Sequence, residues 1–181
     1  MANRKTFIRF FTIADYLEEE KWLREQYKSG WKLVKTIPPC FFVFEQCEPE
    51  DVIYRLDFKN NSQNPEYMQM LADFGWEYCA KCVGWLYFRK PAKDVECEGD
   101  GEIFSDNASR LEMVEHILRV RILPLLVIFL CVVIPNLIRS ADSNAGSFLT
   151  GAFTALFIIY SFIFLYCGLK LKRIRKDLTQ Q

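Results

Sequence analysis

The chain has 181 residues, half of them hydrophobic and a quarter charged, with 23 Lys and Arg balanced by 23 Asp and Glu. That neutrality hides a division, because residues 1–121 carry 17 basic and 21 acidic side chains, net −4, while residues 122–181 carry 6 and 2, net +4. An acidic polar portion argues against nucleic-acid binding, which needs a basic face to neutralise phosphates; its length suits one ordinary domain with its own core.

The opening MANRKTFIRFF has charges but no apolar run of signal-peptide length before Asp15, so secretion is not expected. KTFIRFF reads as a strand, WLREQYKSGW as a helix running into Gly30 and Trp31, and a further strand, a Pro38-Pro39 turn and the aromatic strand CFFVFE follow. The same order returns after Asp51: the alternating strand DVIYRLDF, a turn at Asn60 to Pro65, the helix YMQMLADFGW, then a strand and WLYFRK. Trp22 to Glu45 and Tyr67 to Arg89 match in spacing within one residue, which points to an internal repeat over about residues 5–46 and 51–90. Glycine just after each helix suits a left-handed C-cap. Tyr16, Leu23 and Tyr27, and then Tyr67, Leu71 and Phe74, form the expected core stripes. Glu18, Glu19, Glu20 and Lys21 read as a solvated face near a helix N-terminus. The expected fold class is α+β, a duplicated strand-helix-strand-strand domain with a mainly antiparallel sheet, helices covering one face. The other face then needs a cover, a partner or a ligand.

The blocks FFTIADYLEEEKWL, SGWKLVK, FEQCEPEDVIYRLDF, FGWEY and YFRKP, spread over residues 7–91, resemble those of domain of unknown function family 2812 (DUF 2812), membrane-anchored bacterial proteins. The resemblance implies a cytoplasmic domain on a membrane hairpin, often encoded beside PadR-type regulators, and implies no established activity. The duplicated arrangement is also similar in topology to ligand-binding modules of the GyrI and SOUL kind, although fold does not fix function.

Cys79 and Cys82 form a CxxC and are weak candidates for a metal or redox site. A redox pair belongs at a helix N-terminus that lowers the thiol pKa, whereas these follow Trp76 along a strand, where positions three apart face opposite ways. Zinc needs two more ligands, and Cys40 and Cys47 lie seven apart across an aromatic strand, so ordinary thiols and no cofactor are expected. Aromatics are abundant, and strand alternation should turn some of Phe42, Phe44, Trp85 and Tyr87 away from the helices as a ligand or partner surface. Packing of that face within the domain, against a connector helix or against a second copy is the plainer reading. No GxxxxGK, GxSxG or HExxH occurs. Asp51 and Asp57 are too loosely spaced to suggest a catalytic pair.

After the cytoplasmic domain, taken as residues 1–104, residues 105–121 read as a connector helix, with Ser109 and Glu112 in capping-box spacing and the only histidine, His116, as part of it rather than as a proton relay. Ile122 to Ile138 and Phe148 to Leu169 hold no charged residue, and the second, 22 residues long, reaches roughly 33 Å as a helix, enough for a hydrocarbon core of about 30 Å. Pro124 and Pro135 leave the first, taken alone, open to a buried or re-entrant reading; its neighbour favours a span. Basic flanks at Arg110, Arg119 and Arg121 and at 170–176 place both termini in the cytoplasm, the loop 139–147 outside and the tail 170–181 on anionic lipid. Gly151 and Ala155 give spacing for close helix approach. The absence of an ionisable residue in either span disfavours an autonomous transporter. The expected function is a membrane-anchored sensing or protein-interaction module, with an accessory subunit of a transport complex or an enzyme of unknown reaction as alternatives. Its expected partners are the bilayer and a protein or second copy, with room for a small-molecule ligand and none for nucleic acid.

Overall fold

The computed structural model describes residues 3–58, 64–95, 98–103, 107–142 and 147–180. The turn expected at Asn60 to Pro65 lies largely outside these, as do Cys97, the domain end at residue 104 and residues 143–146 of the expected loop. The chain forms two compact units, Met1–Ser109 and Arg110–Gln181.

In the first unit, β1 (Arg4–Ile8), α1 (Tyr16–Lys28), β2 (Trp31–Ile37) and β3 (Phe41–Gln46) are followed by β4 (Val52–Phe58), α2 (Pro65–Asp73), β5 (Glu77–Cys82) and β6 (Trp85–Pro91). Both halves build an antiparallel three-stranded sheet of the same order, β1-β3-β2 and β4-β6-β5. Both helices stop because a glycine follows in the left-handed region, Gly30 at φ +84° and Gly75 at φ +80°. After α2 the amides of Gly75 and Trp76 donate to the carbonyls of Ala72 and Leu71, each at 2.9 Å, the paired bonds of a Schellman cap. Pro65 and the Asn64 side chain, which accepts from the Glu66 amide at 3.0 Å, start α2.

The register of each half slips at the same place, between Leu33 and Lys35 in β2 and between Tyr78 and Ala80 in β5. A bulge bends its strand and locally disrupts pairing. β2 and β5 are the edges along which the sheets meet, and the described residues there form no ladder; the Thr36 hydroxyl donates to the Lys81 carbonyl at 3.1 Å instead. Six strands thus give two sheets rather than one layer.

α1 belongs to both. Its Trp22 meets Phe7, Phe42 and Phe44 of the first sheet edge-on at centroid distances of 5.0–6.2 Å, while Tyr16 stacks on Trp85 of the second at 5.6 Å. Val52, Tyr54, Leu56 and Phe58 fill one face of β4, all buried, as alternation requires. On the opposite face of the second sheet, Leu86 and Phe88 of β6 join Leu71 of α2 and Trp76, just before β5, in a separate cluster. β6 is therefore covered on both sides, which corrects the expectation of helices on a single face. Phe74, assigned to the core stripe of α2, is instead its exposed C-cap.

The second unit contains two helices long and apolar enough to cross a membrane, Ser109–Arg139 and Thr150–Asp177. The first runs through α3 (Asn107–Ile117), α4 (Leu123–Ile128) and α5 (Ile134–Asp142), joined by π-helical turns at Leu118–Ile122 and Phe129–Val133. Each turn ends two residues before a proline, Pro124 or Pro135, where a widened turn relieves the clash of the ring with the preceding carbonyl. The helix continues through both prolines. Because α3 starts at Asn107, Ser109 lies inside its first turn and not at the cap. α6 (Ser147–Gln180) carries the basic segment 170–176 as helix. Phe129 packs against Phe157, Tyr160 and Phe164 of α6 at 5.4–5.9 Å, whereas among the described residues no atom beyond the neighbouring turns of α6 lies within 4 Å of where a Cβ on Gly151 would sit, and Ala155 is exposed. Aromatic stacking, rather than small-residue approach, joins these helices.

Candidate functional site

The first turns of α1 place Glu19 and Glu20 three and four residues after Tyr16 and four and three before Leu23, so both carboxyls fall within the apolar stripe. Each is only 6% exposed, contrary to the solvated face expected of them. Glu20 is held by Leu56 and Arg55. Its Oε1 accepts from the Leu56 amide at 2.8 Å, satisfying a donor on the outer edge of β4, and its Oε2 lies 3.4 Å from the Arg55 guanidinium, which also pairs with Glu102 at 2.8 Å.

Glu19 accepts from the Tyr87 hydroxyl at 2.6 Å. Burial pushes its pKa up from 4.5 to about 7; the Tyr87 hydrogen bond partly opposes this, and the nearby Asp15 charge adds to it. Tyr87 is raised far above the ordinary phenol range, first by burial and then by Glu19. Cys82, also raised by burial, feels Glu19 and receives help from Thr36. The seam between α1, β2, β5 and β6 therefore holds a carboxyl whose burial favours its protonated form, with Tyr16 stacked on Trp85 in the same seam.

The four aromatics singled out from sequence are placed around α1. Phe42, Phe44, Trp85 and Tyr87 are 6%, 0%, 8% and 3% exposed, the first two against Trp22, Trp85 against Tyr16 and Phe58, and Tyr87 bonded to Glu19. The structure brings the two pairs onto one helix, and adds Glu19, which the sequence reading passed over. The signal was present in the wheel positions of Glu19 and Glu20.

Cys79 occupies the bulge of β5, beside Arg89 and Glu77, with its thiol pushed up to about 12 by burial. Both thiols of the CxxC are thus shifted away from the reactive thiolate. Among the described residues, no three His, Cys, Asp or Glu side chains are grouped to hold a metal ion.

A family model described as "Protein of unknown function (DUF2812)" matches residues 15–127, from just before α1 to Val127 within α4, in the first long apolar helix. No curated protein and no solved structure matches the chain. With more than half of its 181 residues matched, the chain belongs to the DUF2812 family.

Proposed function

We propose that the protein is a membrane-anchored module whose α+β unit, on the cytoplasmic side, senses a ligand or engages a protein partner through the α1 seam, in a bacterial setting linked to PadR-type regulation. The observation that carries the anchor is the exposure of the long helices: only 11% and 6% of their most apolar stretches are buried by protein. A soluble core helix would be covered, so lipid is the cover that satisfies these two. The matching strand orders of the two halves are read as an internal duplication. Sensing is attached to α1 because one helix packs on both sheets and carries Glu19 among Tyr16, Trp85 and Tyr87, with Phe42 and Phe44 on its other flank. A group that displaced or ionised Glu19 would act on both sheets at once.

Alkaline carbonate extraction of membranes, followed by purification in mild detergent with mass spectrometry, tests this reading. Retention in the membrane pellet with a reproducibly bound protein or small molecule is expected. Release by carbonate contradicts the anchor, and a chain that purifies with neither kind of partner contradicts the module.

A further inference from the structure

The outer face of the first sheet is built in three rows running away from α1's side. Ile8, Phe41 and Ile37 are register neighbours at one end, Thr6, Val43 and Lys35 follow, and Arg4, Glu45 and Lys32 close the other end. The apolar end is open: Ile8 is 67% exposed, Ile37 42%, and Phe10, just beyond β1, 74%. The three rows carry Arg4, Lys32 and Lys35 against Glu45, so this face is cationic in a polar portion whose overall charge is negative. Glu45 is held by Arg4 at 3.3 Å and Lys32 at 3.2 Å, whereas Lys35 stands exposed beside the apolar row.

We propose that this end of the first sheet, Ile8, Phe10 and Ile37 with Lys35 beside them, docks on an anionic lipid surface. Apolar side chains rimmed by cations match the acyl boundary and charged headgroups of such a surface. A second copy is a poorer occupant, because a two-fold contact would set cations against cations. The inference rests on the membrane-anchored reading: a tethered domain meets the bilayer at high effective concentration, so a small face suffices.

The full chain, reconstituted into vesicles of equimolar phosphatidylglycerol and phosphatidylcholine, with the photo-cross-linker p-benzoylphenylalanine replacing Phe10, tests it. Phe10 lies outside the strands and is exposed, so the replacement leaves packing alone. The expected result is lipid adducts at position 10, few at a control replacing the exposed Phe74, and loss of the adducts in pure phosphatidylcholine. Lys35→Gln should lower the docking equilibrium about fivefold, the worth of one cation at such a surface. Cross-linked dimers, or no adduct in a chain that floats with vesicles after a carbonate wash, would overturn the docking and leave the anchor standing. A chain that fails to float would overturn both.

Discussion

Glu19→Gln keeps the shape of the side chain and an oxygen for the Tyr87 hydroxyl, but removes a titrating carboxyl from the seam. The folded pKa is about 7 and the ordinary value 4.5, so between these pH values the folded state holds a proton that the unfolded chain has released. The stabilising contribution of Glu19 is therefore complete below about 4.5 and is lost as pH rises through about 7. The displacement from 4.5 to about 7 corresponds to roughly 3 kcal/mol between the two protonation states. Glutamine stays neutral, so the variant should gain on the wild type by up to about 3 kcal/mol between pH 4.5 and pH 8. Near-ultraviolet circular dichroism melts of the full chain in mild detergent would read this as a difference in Tm that widens with pH by about 10 °C or more. Parallel profiles across that range would refute both the burial of a protonatable Glu19 and its place in the seam.

Tyr87→Phe removes a donor that favours the ionised form, so the pH midpoint attributed to Glu19 should climb above the wild-type value; a fall in the same pH-resolved melts would contradict the hydrogen bond. Gly30→Val should cost more than Gly75→Val, since both sit at positive φ but a Cβ at Gly30 meets the Cys47 carbonyl at 3.1 Å while at Gly75 it meets only the flexible Lys90 side chain at 3.5 Å. Each loss should be about 1 kcal/mol or more by thermal unfolding, and equal melting points would contradict the steric difference. Trp22→Ala should cost about 3–5 kcal/mol, because the ring is buried against Phe7, Phe42 and Phe44. Arg24→Gln should cost no more than about 1 kcal/mol. Its partner Asp51 is held at about 2 first by the Arg24 hydrogen bond, so the contribution is present above the ordinary value of 3.8 and lost as pH falls through about 2. A loss unchanged at strongly acid pH would contradict the pairing.

Much of the fold was legible because it rests on local rules. Val52, Tyr54, Leu56 and Phe58 announce a strand face by period two, and Gly30 and Gly75 mark helix ends by their freedom at positive φ. The apolar stretches that become the long helices show by length and composition alone. What escaped depends on tertiary partners. The acidic run Glu18 to Glu20 resembles a solvated helix start, yet the Leu56 amide on the β4 edge, the Arg55 guanidinium and the Tyr87 phenol make burial of two of its carboxyls tolerable. Nothing in Val34 or Cys79 signals the bulges at which the two ladders slip. The aromatic strands gave their alternation correctly but not their cover: that α1 packs Phe42, Phe44, Trp85 and Tyr87 together is a property of the topology, not of any one segment.

The proposed topology, an α+β unit held in the cytoplasm by a two-helix membrane hairpin, is probed by reporter fusions after Asp100, after Asp142 and at the C-terminus of the full chain. The account predicts fluorescence from a green fluorescent protein fused after Asp100 or Gln181, and activity of alkaline phosphatase, which works only outside, when fused after Asp142. Phosphatase activity at either Asp100 or Gln181, or fluorescence after Asp142, would contradict it.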